Sequence, residues 1–283
     1  MVGVHRAEQA AFLLCRAAAW GALAALALVV MVVFLEGAQV LSVGFLTRMW
    51  SHRDISQGGI LPAIVGTLFL GIGVTLVSIP LGVGSAIYLQ EYGKGHFARA
   101  VTLAIRNLAG VPSIVYGIFG LAFFVQLLRL GTTIAAAALT LGCMTLPWII
   151  AAGQEALKTV PDSFREASYA LGATRWQTVR GAVLPNAFGG MLTGSILGIS
   201  RAMGETAPIL MVGATFYMDY LPASPFDKFM ALPYHLFILA TQHASPLAKS
   251  YAMGTAMVLI LLVFALNTGM FLLRAKLRRM KTW

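Results

Sequence analysis

Arg201 and Glu205 stand four residues apart in a stretch that is otherwise almost free of charge. On a helix that spacing places them on one face, within reach of each other. Burying either alone costs about 2.5–3.5 kcal/mol on insertion scales, so a membrane helix keeps such charges only where they meet a partner or a wet cavity. Arginine suits an oxyanion, because its planar fork donates two parallel hydrogen bonds and it stays charged. Glu205 would compete for the same guanidinium, so that a bound anion is released and not trapped. The pair also fits a second reading, an ion pair that fixes helix packing against a neighbouring subunit. Asn107, Ser113 and Tyr116, near the start of an earlier apolar stretch, are candidates for neutral donors along the same path; polar groups at a span end also fit simple packing.

The elements that must hold these groups follow from composition. Of 283 residues, 59% are hydrophobic and 11% charged, with a mean hydropathy of +0.82. One water-soluble core of this size could not hide so much apolar surface. Residues 17–35, 60–90, 108–128, 130–154, 181–200 and 251–273 contain no Asp, Glu, Lys or Arg, and each is long enough for a bilayer-spanning helix of roughly 20 residues. The expectation is an all-α polytopic membrane protein with about six transmembrane helices in a single domain, residues 1–283. Pro80, Pro112 and Pro147 predict kinks within the spans. The first apolar run exceeds the roughly 7–15 residues of a signal-peptide core, so it reads as a retained anchor.

A net charge of +10 raises the question of nucleic acid, and the positions of the cations exclude it. Alternating loops collect Arg6, Arg16, Lys94, Arg99, Arg106, Lys158, Arg165, Arg175, Arg180, Arg274, Lys276, Arg278, Arg279 and Lys281 on one side. The other side has only Arg48, Arg53, Arg129, Lys228 and Lys249, with Arg201 left inside a span. By the positive-inside rule the first side is the cytoplasm, and both termini face it.

Several chemistries lack their residues. No Gly-rich lead to Gly-Lys-Ser/Thr occurs, so the chain is not expected to hydrolyse ATP itself. An intramembrane hydrolase would need a placed nucleophile and base. Gly198-Ile-Ser-Arg-Ala only half-matches a nucleophile elbow, and His5, His52, His96, His235 and His243 fall near predicted span ends or loops. A secondary transporter would show an internal repeat and ion-coupling carboxylates; the spans offer Glu205 and, at an edge, Glu36. Cys15 and Cys143 lie in apolar stretches without metal-ligand spacing and read as small buried hydrophobes, with no metal site.

Two connections are longer than neighbouring spans need, 155–185 and 216–250. In the first, Pro161 suits a helix first turn and Ser163-x-x-Glu166 has capping-box spacing. Phe164, Ala167, Ser168 and Leu171 then share a small-to-apolar face, Gly172 supplies a left-handed stop, and Thr174-x-x-Gln177 starts a second helix that reaches Pro185. The residues alone fit either an amphipathic loop on the lipid headgroups, with Arg165, Arg175 and Arg180 toward phosphates, or a docking element. In the second connection, Tyr217, Tyr220, Phe226, Asp227, Pro233, Tyr234 and His235 fit a platform for an external protein or an interfacial aromatic belt.

Glu166-Ala167-Ser168, Gly172 and Leu184-Pro185 resemble the EAA loop of the permease subunits of ABC importers, whose pattern reads EAA-x3-G-x9-I-x-LP. Ser168 and Ala182 depart from it mildly, since both remain small. The resemblance implies a type I (MetI-like) permease architecture in which these residues form a coupling helix seated in a groove of a separate ATPase subunit. ATP and magnesium would then be held by that partner, with no cofactor on this chain. A narrower resemblance covers nearly the whole chain. Gly59-Ile-Leu-Pro-Ala-Ile-Val-Gly66-Thr67, Pro80-Leu-Gly-Val-Gly84, Ala86-Ile-Tyr-Leu-Gln-Glu-Tyr92, Gly110-Val-Pro-Ser-Ile-Val-Tyr-Gly117 and Arg201-Ala-Met-Gly-Glu-Thr-Ala-Pro208 resemble phosphate-specific permeases of the PstA type. Gly-Glu-Thr-Ala-Pro and Leu232-Pro233 favour that type over the sister PstC type. The family implies a bacterial inner-membrane importer with a PstC-like permease, two ATP-binding subunits and an external phosphate-binding protein. Permeases for sulfate or molybdate share the elbow and topology.

Overall fold

The computed structural model describes residues 2–51, 54–242, 245 and 247–279; His52, Arg53, His243 and Lys281 lie outside them. Among the described residues every regular element is helical. In chain order these are α1 (Val2–Gly37), α2 (Val43–Thr47), α3 (Leu61–Ile87), α4 (Gly95–Leu108), α5 (Ser113–Gly120), α6 (Ile134–Lys158), α7 (Asp162–Ala170), α8 (Arg175–Thr178), α9 (Leu184–Met203), α10 (Ala207–Val212), α11 (Leu232–Thr241) and α12 (Ala248–Arg279). Widened π-type turns at Tyr88–Tyr92, Leu121–Leu127 and Val179–Val183 prolong α3 and α5 and join α8 to α9.

Among the described residues five helices are long and apolar enough to cross a membrane: Ala11–Gly37, Leu61–Tyr92, Ile134–Lys158, Arg175–Met203 and Ala248–Lys276. The expected third span is not one helix over 108–128. The chain breaks between Leu108 and Ser113, and α4 lies at 103° to the Ser113–Leu127 segment. Pro112 disfavours a helical residue before it, and the Tyr116 hydroxyl donates to the Leu108 carbonyl at 2.9 Å, pinning the bend. Counted with its bend, this pair makes the sixth span.

The centre of the bundle is α3, α6 and α9, brought close by small residues: Gly153 faces Ala86, Gly194 faces Ala152 and Gly190 faces Ala156. Such residues let helix backbones approach where lipid gives no hydrophobic drive for association. Buried hydroxyls are satisfied by the preceding turn, as where Ser78 donates to the Val74 carbonyl at 2.7 Å and Thr140 to that of Ala136 at 2.7 Å.

The connection over 216–250 is part core and part surface. Its run Phe229, Met230, Ala231 and Leu232 is fully buried, because so apolar a string does not remain in water or headgroups. Thr67 of α3 accepts from the Leu232 amide at 2.9 Å and donates to the Ala63 carbonyl at 2.7 Å, stitching the insert to the bundle. Pro233 and His235 are buried on α11, with the His235 ring 4.7 Å from Trp50 and 4.9 Å from Phe216. His235 is therefore a core group and not a loop residue. Asp227 makes a turn, accepting from the Ala223 and Ser224 amides at 2.8 Å each. Tyr217, Tyr220 and Phe226 stay exposed, and Tyr234 is half-buried. Cys15 is exposed as well, since α1 meets the bundle only near its end, where Gly37 abuts Met253 of α12.

Candidate functional site

The elbow is built from local signals. Helix α7 starts at Asp162 after Pro161, with no side-chain cap; the expected Ser163 capping box does not form. Gly172 takes φ +79°, the left-handed conformation that glycine adopts without penalty, and ends the first arm. The second arm opens with a full capping box: Thr174 accepts from the Gln177 amide at 3.4 Å, and the Gln177 side chain accepts from the Thr174 amide at 2.7 Å. Pro185 opens α9 just past the widened Val179–Val183 turn, so the elbow's second arm and the span run on as one helix, Arg175–Met203.

What fixes the elbow to the bundle is a cluster around Glu91, which lies at the end of α3 and is 7% exposed. The Arg165 guanidinium grips it with Nη2–Oε1 at 2.7 Å and Nε–Oε2 at 3.3 Å, and also donates to the Leu157 carbonyl at 3.0 Å and the Val160 carbonyl at 2.8 Å. The hydrogen bond to Glu91, reinforced by the Glu91 and Asp162 charges, pushes the Arg165 pKa above the usual arginine value. Arg175 donates to the Glu91 carbonyl and lies over the Tyr92 ring at 4.8 Å. Arg165 and Arg175 therefore face inward and do not present their charges to lipid phosphates. The opposite surface of the elbow is open: Phe164, Glu166, Ala167, Tyr169, Leu171, Gly172 and Trp176 are exposed, Leu171 at 89%. Ser168 turns inward, 2.9 Å from the Thr178 hydroxyl, and Leu184 and Pro185 lie at the root of α9.

Arg201 is in the last turn of α9, but Glu205 lies beyond the helix. The Gly204 and Glu205 amides bond to the Arg201 and Ala202 carbonyls at 3.1 and 3.2 Å, a tightened end, and α10 restarts at Ala207. The two side chains still meet, Nε to Oε1 at 3.5 Å, and the Arg201 guanidinium stacks over Trp148 of α6 at 4.7 Å. Arg201 is half exposed and Trp148 44% exposed, so the group opens to the outside of this chain and not into a closed cavity. Asn107 is exposed at the end of α4, Ser113 begins α5, and the Tyr116 hydroxyl is engaged by Leu108. These three gather at the bend and do not join Arg201 in one cluster.

Sequence reasoning missed Trp148, Glu91 and the inward role of Arg165. Glu91 was visible as the first carboxylate after a long charge-free run; Trp148 gains its meaning only once α6 and α9 are known to be neighbours.

A family described as binding-protein-dependent transport system inner membrane component matches residues 78–280. The chain belongs to that family. Among relatives of this permease, phosphate transport system permease protein PstA 1 of Mycobacterium tuberculosis (strain CDC 1551 / Oshkosh) is 37% identical over 234 residues, 80% of this chain and 75% of the relative. A probable phosphate transport system permease protein PstA of Methanocaldococcus jannaschii is 33% identical over 213 residues, 75% of this chain and 74% of the relative. The solved MetNI methionine ABC transporter, in an inward-facing conformation, superposes with a TM-score of 0.59 at 19% identity, covering 77% of this chain and 94% of that one. The permease thus has the MetI-type fold and is a multi-pass membrane transport subunit.

Proposed function

We propose that this permease is one half of the translocation pathway of an ATP-driven phosphate importer in a bacterial cytoplasmic membrane. Relatives bearing the name of phosphate permeases, similar over most of the chain, support the substrate. The observation that carries the mechanism is the elbow: one face is locked to Glu91 and the other left open with apolar side chains, as a lever gripped by another protein requires. A separate ATPase subunit dimer binds this face through Phe164, Glu166, Ala167, Leu171 and Trp176, holds the ATP and magnesium, and passes its closure to α9. Both termini lie in the cytoplasm, as the charge asymmetry of the loops requires. A PstC-type permease covers the open side of Arg201, Glu205 and Trp148, completing the path, and an external binding protein delivers phosphate to Tyr217, Tyr220 and Phe226.

Along that path Arg201 is a weak, transient phosphate site, with Glu205 as the competing anion that favours release. The test is ATPase stimulation of the reconstituted complex by its binding protein loaded with phosphate or with sulfate. Selective stimulation by the phosphate-loaded form is expected. Equal stimulation by sulfate overturns the substrate, and unchanged coupled uptake after deletion of 162–178 overturns the lever.

A further inference from the structure

Helix α4 has an unusual setting for a segment between two spans. It runs at 103° to the following segment, so it lies close to the membrane plane when that segment stands upright. Its faces are sharply divided. Phe97, Val101, Ile105 and Leu108 form an apolar side, with Phe97 74% exposed, while Arg99, Thr102 and Arg106 form the other. That is the pattern of a helix embedded at the headgroup boundary. On the apolar flank a groove of about 470 Å³ runs between α4 and α3, lined by Pro80, Leu81, Tyr88, Phe97, Val101 and Ile105. On the polar flank a separate cavity of about 570 Å³ is lined by Lys94, Arg99, Thr102, Arg106, Gln154 and Lys158.

The polar cavity is built for an anion. Among the described residues no carboxylate lines it. Among the described residues Lys94, Arg99 and Arg106 have no ion-pair partner; Lys158 meets Glu155 at 2.7 Å. Its floor is polar as well: Gln154, almost fully buried, donates to Thr102 at 3.5 Å. Glu91, nearby in sequence, is turned away toward Arg165.

We propose that this cavity binds the phosphate-bearing headgroup of an acidic phospholipid of the cytoplasmic leaflet, with acyl chains against the apolar flank of α4. The inference rests on the cytoplasmic orientation proposed above. Free phosphate shares the headgroup chemistry, but the cavity is much larger than one tetrahedral anion requires and adjoins the apolar groove, which favours lipid. An occupied site would brace α4 against the ends of α3 and α6, where Glu91 anchors the elbow.

Native mass spectrometry of the assembled, detergent-solubilised complex in an equimolar mixture of phosphatidylglycerol and phosphatidylcholine tests the proposal. Wild type is expected to retain phosphatidylglycerol preferentially. Each cation near an anionic lipid surface contributes about a fivefold gain, so Lys94→Gln/Arg99→Gln/Arg106→Gln should lose that preference by on the order of 100-fold. Should the triple variant not assemble, Arg106→Gln alone should lose about fivefold, and Arg106→Lys should keep the preference. Equal retention of both lipids by wild type, or an unchanged preference in the glutamine variants, overturns the site. Displacement of the lipid by excess inorganic phosphate, equally in wild type and in Arg106→Lys, assigns the cavity to free phosphate and overturns the lipid reading. Labelling of Arg99→Cys by a membrane-impermeant maleimide reports orientation separately: reaction from the external side overturns the topology and not the cavity's preference.

Discussion

Separating Glu91 from Arg165 should unseat the elbow. The pair has two contacts, at 2.7 and 3.3 Å, between side chains only 7% and 15% exposed. Breaking a buried pair typically costs about 3–5 kcal/mol, because the remaining charge is left without its partner. The two single variants should differ. In Glu91→Ala, Arg165 keeps the Leu157 and Val160 carbonyls and the Asp162 carboxylate, which places the loss near the lower bound, about 3 kcal/mol. In Arg165→Ala, a nearly buried carboxylate loses both of its guanidinium contacts, so the loss approaches the upper bound. A loss of about 3 kcal/mol shifts the seated-to-unseated ratio on the order of 100-fold. The raised Arg165 pKa means that this stabilisation is fully present below the ordinary arginine range and is lost only as pH rises through the still higher folded value. Raising the pH within the range the complex survives should therefore not reproduce the variants. The assay is a double-mutant cycle on unfolding of the solubilised complex, paired with uptake per ATP hydrolysed in proteoliposomes. A coupling energy of about 2–3 kcal/mol and a fall in uptake per ATP of at least about tenfold are expected. A coupling energy below about 0.5 kcal/mol with an unchanged transport ratio would refute the reasoning.

Three further outcomes are expected. Arg201→Ala should cut phosphate uptake at least about tenfold, while Arg201→Lys, which keeps the charge but loses the fork, should fall between it and wild type; near-normal uptake by an assembled Arg201→Ala complex removes the substrate role. Leu171→Asp should leave thermal unfolding of the permease within about 0.5 kcal/mol, since this side chain is 89% exposed, yet weaken co-purification of the ATPase subunit; full retention of that subunit would exclude the open elbow face as its seat. Gly66→Ala should lose several kcal/mol or fail to assemble, because its new Cβ would sit 2.0 Å from the Met230 carbonyl oxygen, a backbone atom that cannot turn aside; a variant that purifies with wild-type stability contradicts that contact.

The parts of this architecture that were legible in the sequence are those governed by local or one-dimensional rules. Charge-free runs marked the spans because lipid excludes charge whatever the tertiary fold, and Gly172 and Thr174-x-x-Gln177 marked the elbow because turns and caps are short-range. At 108–128 hydropathy marked a span and Pro112 its kink, but neither registers the size of the bend, 103°, or that the Tyr116 hydroxyl pins it. At 216–250 length marks a connection between spans but carries no sign that Phe229–Leu232 within it is core. The long-range partners, Glu91 with Arg165 at a separation of 74 residues and Arg201 with Trp148, have no signature in the spacing of either residue.

The same geometry connects the two halves of the proposed mechanism. From Arg175 to Met203 the chain is continuous helix, 29 residues or about 43 Å at 1.5 Å per residue, with the elbow at one end and Arg201 at the other. At Gly204 that rod stops. Glu205 follows the break, leading into α10, whose Pro208 backbone packs against Gly117 of α5. Arg201 thus belongs to the body that an ATPase would push, and Glu205 to the body that α5 holds back. In the proposed mechanism their contact, at 3.5 Å, spans the junction that movement of the elbow would open or close. A lever that opens it frees the guanidinium for an anion, and one that closes it restores the competing carboxylate. An Arg201–Glu205 separation that stays the same between nucleotide-free and nucleotide-bound complexes would break this link while leaving the docking role of the elbow intact.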